Sequence, residues 1–260
     1  MLFYSYYSAQ RKEKVAFLEH NILVLQVSGQ FTLETASEKI SMQAGEMLLI
    51  RKNQLGELTK TPLGDQDYQT IVICLQEELL RKIALEEQVA MQDKYTGPLN
   101  IHIPANDFLQ GYFQSVLPYV RNSSGKITND MGILKIKEGV KLLMHTTPEL
   151  KTFLFDFSEP YKIDLEKFMT NNFHYNVPVE QFARLTGRSL AGFKRDFQKT
   201  FQMAPRHWLQ ERRLAEARHL IEAKHQKPSA IYLDLGFESL SHFSYSFKKK
   251  FGKTPTELAI

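Results

Sequence analysis

Two segments in the C-terminal part of the chain carry polar side chains at helical spacing. The first presents, at intervals of three and four positions, Ala191, Lys194, Arg195 and Gln198. The second presents, at the same intervals, Ser241, Ser244, Tyr245 and Lys248. Side chains of these types on a helix can hydrogen-bond base edges in the DNA major groove, where Arg on guanine is the commonest contact. One such face is more often simply solvated, but two in register favour nucleic-acid binding.

Basic residues lie beside both segments and suit contacts to phosphate, which position a protein on DNA without reading its sequence. They are Arg188, Lys199, Lys248, Lys249, Lys250 and Lys253. The net charge of +4 is unevenly distributed, with a balance of −3 over residues 1–160 and +7 over residues 161–260. A basic segment attached to a slightly acidic one is typical of proteins that bind a polyanion.

The elements that position these side chains repeat at an offset of 50 residues. The matching pairs are Leu185 and Leu235, Ser189 and Ser239, Leu190 and Leu240, Phe193 and Phe243, Phe197 and Phe247, Lys199 and Lys249, Phe201 and Phe251, and Pro205 and Pro255. Each copy predicts a helix broken at a glycine, Gly187 or Gly236, and then a second helix with a buried apolar stripe. Ser189 caps the first of these second helices, and Ser239 or Ser241 caps the other. The pattern predicts two helix-turn-helix units.

One long helix is predicted to join the two units over residues 204–225. Pro205 stands near its start, and apolar residues such as Trp208, Leu214 and Ile221 follow along one side. A rigid connector would hold the two recognition helices at a fixed separation. If that separation is about 34 Å, one turn of B-DNA, both helices can enter successive major grooves.

At these residues the chain resembles the AraC/XylS family of bacterial transcription regulators. The segment LDLGFESLSHFSYSFKKKFGKTP is similar to the family signature, and the pattern from Pro205 to Ile221 resembles its linker helix. The resemblance covers roughly residues 163–258. It implies a seven-helix DNA-binding domain with two helix-turn-helix units.

The resemblance also implies which positions read bases. In the first unit they fall on Ser189, Ala191, Lys194 and Arg195, and in the second on Leu240, Ser241, His242 and Tyr245. The family often carries Arg where this chain has Tyr245. We therefore expect the first unit to read sequence more stringently than the second.

The N-terminal part contains short β-rich runs over residues 13–75, which predict a small antiparallel barrel or sandwich. Helices are predicted at residues 77–89, 106–120, 131–145 and 148–157. The resemblance implies a cupin-like domain here, with one helix forming a dimer seam. The expected fold class is α+β: a cupin-like antiparallel β-barrel with accessory helices over residues 1–160, followed by an all-α domain with two helix-turn-helix units over residues 161–260.

Residue types for metal or covalent chemistry are sparse. Metal-dependent cupins carry an HxH pair and a later His, whereas the eight histidines here are scattered. Cys74 is the single cysteine, so no disulfide can form within the chain. We expect Cys74 to be a small buried apolar residue. We expect no metal, no cofactor and no catalytic residues. A cupin-type enzyme fused to a DNA-binding domain is the alternative hypothesis.

The leading hypothesis is a sequence-specific DNA-binding transcription regulator, of a family whose members are most often activators. The partners that it implies are double-stranded DNA, RNA polymerase, a second copy of the chain, and an effector that is either a small molecule or a protein. No apolar run approaches the ~20 residues of a membrane span. The first residues, MLFYSYYSAQRKEK, place aromatic residues before basic ones, whereas a secretory signal starts with basic residues, so we expect no such signal here. We therefore expect a cytoplasmic protein.

Overall fold

A computed structural model describes residues 2–15, 18–89, 94–121, 129–158 and 162–259. The chain divides into two compact units, Met1–Ser158 and Glu159–Ile260. Strands and helices make up the first unit, and helices alone make up the described part of the second. None of the helices in these described ranges is both long and apolar enough to cross a membrane.

The first unit contains two antiparallel sheets. Their strands are β1 (Leu2–Tyr7), β2 (Arg11–Val15), β3 (Asn21–Ser28), β4 (Gln30–Glu34), β5 (Lys39–Met42), β6 (Met47–Ile50), β7 (Gly56–Thr61), β8 (Tyr68–Leu75) and β9 (Asn100–Ile103). The order is β1-β8-β3-β6-β9 in the five-stranded sheet and β2-β7-β4-β5 in the four-stranded sheet. Sequence reasoning missed β1 and β9, which lie at the two edges of the larger sheet.

The five-stranded sheet is buried on both faces. Alternate residues of β3 point to opposite faces, so Val24 joins a core with residues of the smaller sheet such as Leu33 and Met42. Leu23, its neighbour, packs in a second core with residues of the following helices, such as Phe113. Because both faces of the sheet are buried, the sequences of its central strands are continuous apolar runs and do not alternate between apolar and polar residues.

Helices α1 (Glu77–Glu86), α2 (Asp107–Arg121), α3 (Asn129–Thr146) and α4 (Leu150–Leu154) cover the outer face of this sheet. The hydroxyl of Tyr112 on α2 donates a hydrogen bond to the carbonyl of Lys135 on α3 at 2.7 Å. All four lie where the sequence predicted helices, although α1 and α4 are shorter than expected. The α+β class, with an antiparallel β domain carrying accessory helices before an all-helical unit, is confirmed.

The second unit has seven helices within the described residues. They are α5 (Leu165–Asn172), α6 (Val179–Leu185), α7 (Leu190–Phe201), α8 (Pro205–Lys224), α9 (Pro228–Ile231), α10 (Leu240–Phe251) and α11 (Pro255–Leu258). The connector α8 is one 20-residue helix, as predicted. The repeat predicted a helix that continues up to the break at Gly236, but α9 starts at Pro228 and ends at Ile231, and turns lead from there to Gly236. Gly236 adopts φ +83°, which favours glycine.

Candidate DNA-binding surface

The first recognition helix is α7, and its start and its inner face are both fixed. The Ser189 hydroxyl accepts a hydrogen bond from the Gly192 amide at 3.2 Å, which confirms the predicted cap. Phe193 and Phe197 are fully buried with ring centroids 5.4 Å apart. Trp208 of α8 packs edge-on against Phe197 at 5.6 Å. Because this side is held against the connector, the opposite side of α7 faces outward.

The second recognition helix, α10, repeats this construction. The Ser239 hydroxyl accepts from the His242 amide at 3.2 Å, so Ser239 rather than Ser241 is the cap. Phe243 and Phe247 are fully buried, with ring centroids 5.7 Å apart. Both recognition helices are 12 residues long. The 50-residue repeat therefore corresponds to two equivalent structural units.

All eight residues at the implied base-reading positions are exposed. They are Ser189, Ala191, Lys194, Arg195, Leu240, Ser241, His242 and Tyr245. The side chain of Arg195 is 78% exposed, with one long ion pair to Asp196 at 3.7 Å. The structure thus leaves these side chains available, and their contact with bases stays a prediction.

The residues predicted to contact phosphate differ in what their side chains already bind. Lys199, Lys248 and Lys249 are exposed, and within the described part of the chain none of them forms an ion pair. Lys250 instead reaches back to α8, where its Nζ binds the Glu211 carboxylate at 2.6 Å and the Glu211 carbonyl at 3.1 Å. Lys250 therefore fastens α10 to the connector, and its expected phosphate contact stays a prediction.

Arg188 also proves to be an internal residue. Its side chain is only 10% exposed, and its guanidinium binds the Asp196 carboxylate at 3.0 Å and the carbonyls of Ile163 and Thr186 at 3.0 and 2.7 Å. The hydrogen bond from Arg188 holds the pKa of Asp196 below its ordinary value. A guanidinium held by three partners within the protein is less available to phosphate, and the expected phosphate contact of Arg188 stays a prediction.

A second internal arginine, Arg213, belongs to the pattern that resembles the family's linker helix, but no role was predicted for its side chain. It donates to the carbonyls of Phe173, Tyr175 and Gly236 at 2.8, 2.8 and 3.0 Å. Burial lowers the pKa of Arg213 to about 10. Arg213 thereby joins the connector α8 both to the segment after α5 and to the turn before α10. A lone Arg in an amphipathic helix gives no sequence signal for such a role.

The first unit contains a cleft of about 430 Å³ between β3, β6 and α2. Its apolar lining consists of Leu25, Val27, Met47, Phe113 and Leu117. Gln26 also lines the cleft, and it is fully buried. Its Nε2 donates to the Ser28 carbonyl at 2.6 Å, while its Oε1 accepts no hydrogen bond from the described residues. A buried acceptor without a donor is costly unless something supplies one.

Side chains that bind metal ions do not gather within the described residues. No group of three or more His, Cys, Asp and Glu side chains there could hold a metal ion. Cys74 is half-buried on β8, and burial raises the pKa of its thiol.

Both parts of the chain match known protein families. The helix-turn-helix domain family matches residues 182–259, and the ExsA N-terminal regulatory domain family matches residues 21–154. The HTH-type transcriptional regulator ExsA of Pseudomonas aeruginosa is 25% identical over 92% of this chain and 85% of its own length. The virulence regulon transcriptional activator VirF of Yersinia enterocolitica is 34% identical over 37% of this chain and 35% of its own length.

Among solved structures, apo ToxT from Vibrio cholerae aligns with the whole chain and 96% of its own, with a TM-score of 0.48 at 13% identity. The regulatory-domain family alone spans more than half of the present chain, and the helix-turn-helix family spans most of its second unit. The chain therefore belongs to the AraC family of transcriptional regulators, in the group that carries the ExsA N-terminal regulatory domain.

Proposed function

We propose that this protein activates transcription by inserting α7 and α10 into successive major grooves of a specific DNA site. The observation that carries the proposal is the pair of matched recognition helices, each capped by Ser and anchored by buried Phe, with exposed polar faces. The 20-residue connector spans about 30 Å, close to one turn of B-DNA. The relative VirF, a virulence regulon transcriptional activator, supports activation as the direction of control.

Base reading is assigned to the exposed residues at the start and outer face of the two helices. Arg195 is the strongest candidate, because its exposed guanidinium can bind guanine O6 and N7 together. Lys199, Lys248 and Lys249 are assigned to phosphate, which adds affinity without selectivity. Arg188 and Lys250 are left out of this set, since both bind partners within the protein.

Mapping of bound sites in cells provides the DNA on which this assignment is tested. Replacing Arg195 by Ala should lower discrimination at one base pair by about 1–3 kcal/mol, because one bidentate contact is lost. Replacing Lys199 by Ala should weaken binding to all DNA sequences alike. It should also reduce the slope of the logarithm of the binding constant against the logarithm of the salt concentration by about one. An Arg195→Ala variant that keeps full discrimination contradicts the base-reading assignment. Absence of any preferred site for the wild-type protein contradicts the function.

Control of this activity is assigned to the first unit. The space between its two sheets is filled by side chains such as Tyr68, Leu33 and Met42, so the cleft beside α2 is the better place for a small molecule. A largely apolar effector would fit the lining of this cleft. An effector can shift the activity only by binding one state of the protein more tightly than another.

Two glycines provide a matched test of this cleft. Gly111 on α2 lines it, and a Cβ added there meets nothing within 4 Å, so Leu at this position would partly fill the cleft. Gly132 on α3 has equally open surroundings and lies outside the lining. Gly111→Leu should abolish the response of a target-promoter reporter to inducing growth conditions, whereas Gly132→Leu should retain it. Equal responses from both variants would place the effector elsewhere and favour a protein partner.

The remaining partners of the proposal are a second copy of the chain and RNA polymerase. Met131 and Leu134 are both exposed and lie one turn apart on α3, and this small apolar patch supports a contact between two copies along this helix. Activation requires the bound protein to recruit or stimulate polymerase at the promoter. Because its proposed target is DNA, the protein would act in the cytoplasm of a bacterial cell.

A further inference from the structure

A second cleft, of about 670 Å³, lies in the helical unit between the two helix-turn-helix motifs. Its walls come from the start of α6, the first half of α8 and the start of α10. Arg206 and Gln210 lie one turn apart on α8 and share a face, and His242 stands opposite them in the first turn of α10. Apart from His242, no residue of this cleft has been assigned to DNA binding.

The charged side chains of the lining are predominantly basic. Arg206 is exposed, and among the described residues it has no ion pair or hydrogen bond. Arg213 is bound by three carbonyl groups, and no described carboxylate neutralises its guanidinium. Glu238 is the opposing charge, and its carboxylate accepts a hydrogen bond from the Asn176 side chain at 3.1 Å.

An uncompensated guanidinium in the wall makes the cleft attractive to an anion. Taking a charge out of water is expensive unless an opposite charge or hydrogen bonds replace the lost solvation. The carbonyl groups around Arg213 supply hydrogen bonds and leave its full positive charge in place. An anion beside the exposed Arg206 would gain from both charges at once.

The position of the cleft identifies the anion. His242 belongs both to the cleft and to the implied base-reading positions of α10, so the cleft opens beside the residues that face DNA. When α7 and α10 occupy successive major grooves, the DNA backbone between those grooves passes the connector. We propose that the cleft binds the phosphodiester backbone at this central position, with Arg206 donating to a phosphate oxygen. This inference rests on the proposed DNA-binding function.

The first test compares Arg206→Ala with Arg218→Ala on the mapped DNA site over a series of salt concentrations. Arg218 is a suitable control because it is exposed on the same helix, lies outside the cleft and pairs with Glu222 at 3.0 Å. Arg206→Ala should raise Kd about five- to tenfold and reduce the salt slope by about one, with base preference unchanged. Arg218→Ala should bind as the wild type does. Thermal unfolding of each variant checks that the fold is retained.

A second test locates the contact on the DNA. Neutral methylphosphonates replace the phosphates between the two major-groove sites, one position at a time. At the contacted position the substitution should lower the DNA affinity of the wild-type protein. It should leave the DNA affinity of the Arg206→Ala variant nearly unchanged, because the two changes remove the same interaction. The inference alone is overturned if the Arg206→Ala variant binds DNA as tightly as the wild type does. It is also overturned if each methylphosphonate lowers the affinity of both proteins equally. Failure of the wild-type protein to select any DNA site overturns the proposed function as well.

Discussion

The turn before α10 offers a quantitative test of how the second motif is held, through Gly236→Ala and its control Gly252→Ala. Both glycines adopt left-handed backbone conformations, with φ +83° and +78°. An Ala in this region costs about 1–2 kcal/mol because its Cβ crowds the following carbonyl. The two positions therefore share the conformational penalty and differ only in their surroundings.

The surroundings predict unequal losses of stability. A Cβ at position 236 would lie 2.5 Å from the carbonyl oxygen of His174 and 2.9 Å from Cζ of Arg213. At position 252 a Cβ meets nothing within 4 Å. Relief of the clash would disturb the Arg213 hydrogen bond to the Gly236 carbonyl, which as a charged hydrogen bond contributes about 1.5–3 kcal/mol. We expect the free energy of unfolding of the second unit to fall by about 3–5 kcal/mol in Gly236→Ala and by about 1–2 kcal/mol in Gly252→Ala.

Trp208 makes the measurement specific for the second unit. It is the single tryptophan of the chain, and it packs against Phe201 with ring centroids 4.5 Å apart. Urea unfolding followed by its fluorescence therefore reports this unit and avoids the mixed transition that a two-unit chain can show. Equal losses for the two variants would refute the argument that a close approach to His174 and Arg213 requires glycine at position 236.

Two further predictions concern a helix cap and a buried ion pair. Ser239→Ala should destabilise the second unit by about 1 kcal/mol, since Ser239 caps α10, whereas Ser241→Ala should change stability little in the same fluorescence assay. Asp156 forms a nearly buried ion pair with Arg51; burial acts to raise its pKa, but hydrogen bonds and Arg51 hold that pKa below the ordinary value. Its contribution is therefore present above the ordinary carboxyl pKa and lost as pH falls through the lowered one. Asp156→Asn should lower the free energy of unfolding of the first unit by roughly 3 kcal/mol at pH 7 and by progressively less in acid. Hydrogen exchange of the β-strands measures this loss of stability. A loss that does not depend on pH contradicts the role of the ion pair.

Local sequence signals predicted the recognition helices well because each signal acts within one or two helical turns. A Ser cap bonds an amide three residues later, as Ser189 does with Gly192, and an apolar stripe follows the helical period. The helix after Pro228 shows the limit of such reasoning. Its apolar residues continue to Leu235, but the chain leaves the helix at Ile231.

The edges of the larger sheet were missed for a different reason. Strand β9 is only four residues long, and it exists because it pairs with β6, about fifty residues earlier in the chain. A short strand has little signal of its own, since its stability comes from the partner strand and the core beneath it. Strand β1 likewise depends on its pairing with β8.

The sequence by itself determined the two repeated motifs, their caps and buried stripes, and the concentration of positive charge in the second unit. Only the tertiary structure decided which basic residues remain available. Arg188 and Lys250 look like phosphate contacts in the sequence, yet Asp196 and Glu211 engage them. Arg206, with no such partner among the described residues, stands beside the cleft. Local patterns follow from spacing along the chain, whereas the availability of a charge depends on which distant side chains folding brings within a few ångströms.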